Sequence, residues 1–170
     1  MNPTQFIHTY FNLEKQGGML ICFNGLLAFF GAGYFLCGYS QSSFYIGMAW
    51  PLLIVAVVQI IAGAYIYWKS PKDIERVEGY FNNDAIRLKS DELVRIKKVI
   101  NSFVRYVRMQ VFICIVGVLM IIFTHDGSNL LMGIGVGLLV QGGIMLMFDY
   151  LAERRAGEYC RQLEQVVVNL

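Results

Sequence analysis

Four long runs without charged residues constrain the fold of this chain more than any other feature. They cover residues 17–37, 45–68, 109–124 and 129–148, and none contains Asp, Glu, Lys or Arg. Each run is close to the ~20 apolar residues that a helix needs to cross a hydrocarbon core of ~30 Å. The runs lack the alternating apolar and polar residues of barrel strands. The sequence therefore predicts an all-α, polytopic membrane protein with four transmembrane helices in a bundle.

The composition supports a membrane location. Hydrophobic residues make up 56% of the chain, charged residues make up only 15%, and the mean hydropathy is +0.52. Too few charges remain to cover the surface of a soluble domain. The first run is too long for the apolar region of a signal peptide, and no small-residue cleavage site follows it. We therefore expect the first run to be a retained span.

The basic residues predict the orientation of the chain. All 14 Lys and Arg lie before the first run, between the second and third runs, or after the fourth run. The positive-inside rule then places both termini and the long middle segment in the cytoplasm. We expect these cations to face the lipid bilayer and not a nucleic acid. The short loops and the small size favour the bacterial cytoplasmic (inner) membrane, with both termini inside.

Helical periodicity continues outside the four runs and predicts cytoplasmic helical extensions on a single membrane domain. Residues 1–16 gather apolar side chains on one face, which is typical of a short helix lying in the inner interface. Gly17 and Gly18 would then turn the chain into the first span. We expect a cytoplasmic helical segment over residues 69–108 and a tail helix over residues 149–170.

Proline and serine residues mark predicted helix boundaries. Ser70 followed by Pro71 resembles an N-cap and first helical position, so a helix is expected to begin there. A second start is expected at Ser90, from which one helix runs to Phe123. Pro51 is expected in the first turn of the second span, where proline is tolerated.

A short internal repeat is a further hypothesis. The segment "ERVEG" at 75–79 recurs as "ERRAG" at 153–157, and Gln59 aligns with Gln141 if a gap of four residues is allowed. Each half of the chain would then be a helical hairpin with a cytoplasmic extension, and the two halves would have the same orientation.

Three amide side chains lie inside the apolar runs at a similar depth. Asn24, Gln59 and Gln141 are each expected near the centre of the bilayer, where an unpaired amide is costly. One interpretation is a midplane site for a polar substrate. The other is hydrogen bonding between helices, supported by nearby small residues that allow close approach. The absence of ionisable residues within the runs favours packing.

Glycines in the fourth run predict close helix contact. Gly133 and Gly137 form a GxxxG pair, and Gly142 and Gly143 extend the small surface. The partner helix could belong to the same chain or to a second copy, and the former is favoured. We expect the strip formed by Gly25, Ala28 and Ala32 on the first helix to face these glycines.

Ionisable residues at the ends of the apolar runs are expected to form an ion pair or a polar loop. Asp149, at the inner end of the fourth run, is expected to form an ion pair with Arg105 or Arg108, or with Lys69. A proton-accepting role is the alternative. His125 and the neighbouring Asp126 are expected to form a polar loop.

The sequence predicts no catalytic residues, no metal site and no cofactor, because the paired aspartates, HExxH motif and similar clusters of membrane enzymes do not occur. The favoured function is a non-enzymatic protein that binds another membrane protein or itself. Such a protein would be immunity-type or an accessory subunit of a membrane complex. The candidate cytoplasmic interaction residues are Arg76, Arg87, Arg95, Lys97 and Lys98. The alternative is a small oligomeric channel or carrier with a polar midplane site.

Overall fold

The computed structural model describes residues 4–83, 85–124 and 129–168, and in that part of the chain the regular secondary structure is entirely helical. Five α-helices and one π-helical turn follow each other: α1 Gln5–Gly38, α2 Ser43–Asn83, α3 Ala85–Arg87, the π-helical turn Leu88–Glu92, α4 Leu93–Phe123 and α5 Asn129–Val168. Four helices are long and apolar enough to cross a membrane, namely α1, α2, α4 with the turn before it, and α5. The predicted four long apolar helices are thus confirmed.

Helices α2 and α5 form the central pair of the fold, with α1 packed mainly on α2 and α4 mainly on α5. Gly18 lies against Gly63, and Gly25 lies against Ala56, so α1 and α2 are antiparallel. In contrast, residues later in α2 contact residues later in α5, so these two helices are parallel. Two hairpins side by side in one orientation are the layout that the repeat hypothesis predicts.

The helices pass through two differently built regions. We call residues 17–38, 43–68, 109–123 and 129–148 the apolar half, and the described residues outside them, apart from the 39–42 link and Thr124, the charged half. The charged half has its own core of buried side chains, contributed by α1, α2, α4, α5 and the π-helical turn. The core consists of Phe6, Ile7, Tyr10, Phe11, Val77, Leu88, Ile96, Ala156, Tyr159, Cys160 and Leu163.

The predicted turn at Gly17 and Gly18 is wrong, because α1 continues through both residues. Both glycines are buried, and a Cβ added at Gly18 would lie 2.9 Å from the Gly63 carbonyl oxygen. Their small size permits close helix contact, and no change of direction is needed. The apolar face at the start of α1 packs into the core of the charged half.

Three predicted boundary features also differ from the structure. Pro51 and Pro71 both lie inside α2, which begins at Ser43 and does not restart at Ser70. The Ser70 hydroxyl donates to the Ile66 carbonyl oxygen at 2.8 Å. Pro71 costs the helix one hydrogen bond, but continuing α2 buries Val77 in the core of the charged half.

The expected helix start at Ser90 is likewise absent. Ser90 lies within the π-helical turn, and α4 begins three residues later at Leu93 and ends at Phe123 as expected. The Ser90 hydroxyl donates to the Asp91 carboxylate at 2.8 Å and does not cap the helix. The turn places Leu88 and Glu92 in buried positions, which explains why the chain does not restart in a regular α-helix.

Candidate functional site

The three predicted amides form one continuous hydrogen-bonded chain in the apolar half. The Asn24 Nδ2 donates to Gln59 Oε1 at 3.1 Å, and the Gln59 Nε2 donates to Gln141 Oε1 at 3.2 Å. The chain therefore links α1 to α2 and α2 to α5. Gln59 is fully buried and Gln141 is 2% exposed, while Asn24 is half-buried.

This geometry fits the packing interpretation of the amides. Each glutamine places a polar group opposite a polar group of a neighbouring helix, so neither amide is left without a hydrogen-bond partner. Hydrogen bonds of this kind contribute about 0.6–2 kcal/mol each in membrane helices. The central position of Gln59, which both accepts and donates, makes α2 the helix that joins the other two.

The glycines of α5 contact two different helices. Gly133 and Gly137 lie against α2, where an added Cβ at Gly137 would be 2.8 Å from the Met48 carbonyl oxygen. Gly142 lies against α4, and its added Cβ would be 2.5 Å from Cys114 Sγ. Gly143 is exposed and has no described neighbour within 4 Å of an added Cβ, so its predicted contact is wrong.

The expected facing of the small strip on α1 and the glycines on α5 is also wrong. Gly25 lies against α2, where its added Cβ would be 2.9 Å from the Ala56 carbonyl oxygen. Helix α2 separates the two strips, because α2 pairs with α1 on one side and with α5 on the other.

Further close contacts were not identified from the sequence. Gly47 on α2 lies directly against the Leu130 carbonyl group, opposite Gly133. Gly117 on α4 and Gly135 on α5 face each other, since an added Cβ at Gly135 would be 2.7 Å from the Gly117 carbonyl oxygen. An isolated glycine within an apolar run is only a weak indication of helix contact, because the residue that it contacts lies on a distant segment of the sequence.

The expected ion pair of Asp149 is not formed. Asp149 accepts a hydrogen bond from Gln110 Nε2 at 2.6 Å. Arg105 and Arg108 are exposed and pair with no carboxylate among the described residues, and Lys69 pairs with Asp73 at 3.5 Å. Gln110 lies on the α4 face that contacts α5, and the two arginines do not. This explains why Gln110, and neither arginine, is the partner of Asp149.

Two of the five candidate interaction residues belong to an internal ion network. Arg95 binds Glu92 through two hydrogen bonds of 2.8 and 2.6 Å. Arg76 lies 2.7 Å from Asp73 and 3.5 Å from Glu92. The Tyr159 hydroxyl donates to Glu92 at 3.0 Å. Glu92 is 1% exposed, so its charge depends on these partners.

The other three candidates lie on the surface of the charged half. Arg87 and Lys98 are exposed, and Lys97 is exposed with its ammonium group 2.7 Å from Glu164. The five residues therefore do not form one cationic surface. Sequence periodicity alone did not separate the internal pair from the external three, because Arg76 and Glu92 come from different helices.

The ion network perturbs the groups around it. Burial raises the pKa of the Tyr159 and Tyr10 hydroxyls, which are stacked with ring centroids 4.2 Å apart. Burial alone would lower the pKa of Arg95, but its hydrogen bonds to Glu92 outweigh this and raise it. Both tyrosines are therefore neutral and Arg95 is charged at physiological pH.

Glu14 is a further buried acid that the sequence did not single out. Its Oε2 atom is buried and has no hydrogen-bond partner among the described residues. Burial raises the pKa of Glu14, although nearby cations oppose the shift. The charged groups around it are Arg95, Asp73, Lys69 and Arg155.

The described residues offer no group of three or more His, Cys, Asp or Glu side chains that could hold a metal ion. Within them, Cys22, Cys37, Cys114 and Cys160 are free thiols. The predicted polar loop at His125 and Asp126 lies outside the described residues. Comparison with known proteins gives no matching family model, no matching curated protein and no matching solved structure.

Proposed function

We propose that the protein is a non-enzymatic membrane protein that acts by binding another protein, either as an immunity-type protein or as an accessory subunit. The observation that best supports this proposal is the amide chain, in which Gln59 and Gln141 hydrogen bond to each other in a closed environment. A carrier or channel would present such groups to its substrate. The apolar half therefore acts as a rigid support, and the binding surface lies elsewhere.

In this proposal the apolar half crosses the cytoplasmic membrane of a bacterium, and the charged half lies in the cytoplasm with both termini. The support is the distribution of cations, because the opposite end of α1 and α2 is joined by the short link 39–42 without Lys or Arg. Labelling of single cysteines placed at Ser42 and Ser90, in a background without the native cysteines, tests this orientation. Labelling of both positions from the same side would contradict it.

The surface that fits a partner protein surrounds α3 and the start of α4. Ile86 is 79% exposed and Val94 is 50% exposed, although both belong to the charged half and would face water. Arg87 and Lys98 are exposed nearby in sequence. Apolar side chains beside cations suit a partner that presents apolar residues flanked by acidic ones.

A cross-linking experiment tests this surface. A photoreactive residue at Val94 should capture one partner in native membranes at a fixed stoichiometry, and the same residue at the exposed Glu75 on α2 should not. The double substitution Ile86→Ser and Val94→Ser should abolish copurification of that partner. The control Val168→Ser alters an equally apolar side chain that is 84% exposed at the end of α5, and it should retain the partner.

A flux measurement distinguishes this function from the channel alternative. Purified protein in liposomes should conduct no ion and transport no small polar solute above the rate of empty liposomes. Solute flux that disappears in the triple variant Asn24→Ala, Gln59→Leu and Gln141→Leu would replace the proposed function with a midplane transport site. Retention of the partner by the double variant Ile86→Ser and Val94→Ser would contradict the assigned surface.

A further inference from the structure

A cavity of about 450 Å³ lies in the charged half between the start of α1 and the end of α5. Its volume is in the range of ~300–1,000 Å³ that is typical of small-molecule sites. The residues that carry the argument line both sides: Thr9, Tyr10 and Leu13 on α1, and Arg154, Arg155 and Tyr159 on α5. The stacked Tyr10 and Tyr159 rings form part of the wall. No function described above uses this cavity.

The charges at the cavity are unbalanced in favour of the cations. Arg154 and Arg155 line it, and neither forms an ion pair with a carboxylate among the residues that the structure describes. Glu158 also lines the cavity, but it already pairs with Arg161 and accepts a hydrogen bond from Gln162. The cavity is therefore complementary to an anion.

Arg155 is held in place for such a contact. Its Nη1 donates to the Leu13 carbonyl oxygen at 2.6 Å, and its Nε donates to the Leu151 carbonyl oxygen at 3.2 Å. A guanidinium has five N–H donors, so three remain after these two bonds. Glu14 is within electrostatic reach of Arg155, but it does not line the cavity.

The apolar lining distinguishes a lipid from a soluble anion. Leu13 and Leu151 line the end of the cavity next to the apolar half, and both are substantially exposed, at 39% and 46%. A soluble phosphate would leave these side chains uncovered. A phospholipid would cover them with the first carbons of its acyl chains while its phosphate reached the arginines.

We propose that this cavity binds the headgroup of an anionic phospholipid, whose phosphate contacts Arg154 and Arg155 and whose chains pass over Leu13 and Leu151 into the bilayer. Guanidinium groups bind phosphate through paired, charge-assisted hydrogen bonds. The site rests on the proposed placement of the apolar half in a bilayer, but it does not depend on a protein partner and so is tested separately from the proposed binding function.

Native mass spectrometry of the detergent-purified protein tests the site. Titration with dioleoylphosphatidylglycerol should give one tightly bound lipid, with an affinity about tenfold higher than for dioleoylphosphatidylcholine, whose chains are identical. The double variant Arg154→Gln and Arg155→Gln should lose this preference. The matched control Arg105→Gln and Arg108→Gln removes two exposed arginines near the middle of α4, and it should keep the preference within about twofold.

A cavity-filling variant covers the possibility that loss of Arg155 disturbs folding. Thr9→Trp leaves both arginines in place and fills space beside Tyr10, so it should also reduce lipid binding about tenfold. Equal binding of the two lipids, or equal loss in both double-arginine variants, would overturn the proposal. Displacement of the lipid by an equimolar amount of soluble glycerol phosphate would overturn it too, because that result indicates a site for a free anion.

Discussion

The same helices are held together by different interactions in their two halves. In the apolar half, glycines bring backbones together and one amide chain joins three helices, while large side chains such as Phe112 point outward and are exposed. In the charged half, aromatic side chains fill the centre. There Glu92 forms ion pairs with Arg76 and Arg95 and accepts a hydrogen bond from Tyr159. The first arrangement is typical of helices in lipid, and the second is typical of a soluble bundle.

In the membrane placement proposed above, this contrast lets one continuous helix meet the requirements of two environments, lipid and water. Association in lipid gains little from burying apolar side chains, so close backbone contact and hydrogen bonding supply the attraction. In water the burial of Tyr159 and Phe11 is favourable by itself. If the contrast is correct, a substitution in one half should weaken mainly that half.

The largest effect is expected from Glu92→Ala. The substitution leaves Arg95 partly buried without its carboxylate, which should destabilise the charged half by about 3–5 kcal/mol. Hydrogen exchange should increase over residues 5–16 and 149–168 and remain unchanged around Gly133. The control Glu75→Ala removes an exposed carboxylate and should change neither region. Loss of protection in both halves would mean that the halves fold as a single cooperative unit.

The next largest effect is expected from Gly133→Val. The added side chain would collide with the Phe44 carbonyl group, which belongs to the backbone, so the cost should be about 1–3 kcal/mol or more. Gly143→Val on the same helix meets no described atom within 4 Å and should be nearly neutral. Unfolding by SDS, followed through tryptophan fluorescence in detergent, measures the difference. Equal stability of the two variants would contradict the assigned backbone contact.

A smaller loss is expected from Gln59→Leu. The change removes both hydrogen bonds of the central amide and leaves Gln141 Oε1 without the Gln59 donor, which should cost about 1–2 kcal/mol. Asn24→Leu removes only one bond at a half-buried position, so its cost should be about half as large. The same SDS unfolding assay applies. A larger loss for Asn24→Leu would show that the chain is not centred on Gln59.

The smallest effect is a pH dependence located at Glu14. Burial raises the pKa of this carboxyl in the folded protein, so folding favours its protonated form. Its contribution to stability is therefore fully present below the unfolded pKa of about 4.3 and is lost as pH rises through the folded value. Glu14→Gln should flatten the decline of thermal stability that begins as pH rises above about 4.3, and it should stabilise the protein slightly once the pH exceeds the folded pKa of Glu14. An unchanged pH profile would show that Arg95 and Arg155 compensate the carboxylate fully.

The sequence predicted the features that depend on one segment at a time. The four long apolar helices and the end of α4 at Phe123 follow from the lengths and periodicities of individual runs. The common depth of Asn24, Gln59 and Gln141 was also visible, because depth is counted along a single helix.

Features that depend on which helix faces which were not predictable. Gln110 replaced Arg105 and Arg108 as the partner of Asp149 because of its position around α4, and the sequence does not give the rotation of α4 against α5. The helix start expected at Ser90 gave no sign that the nearby Glu92 lies at the centre of an ion network that joins three helices. The local signals at Gly17 and Pro71 were overridden by packing against distant segments.

The glycines of α5 restrict how this protein can move. Gly133 and Gly137 lie against the backbone of α2, while Gly135 lies against the backbone of α4. Rotation of α5 by a single residue, about 100°, would push Ile134 or Val136 into spaces that admit only hydrogen atoms. Any rearrangement must therefore displace α5 together with the backbones of α2 and α4 that it contacts, and not by rotation of α5 between them.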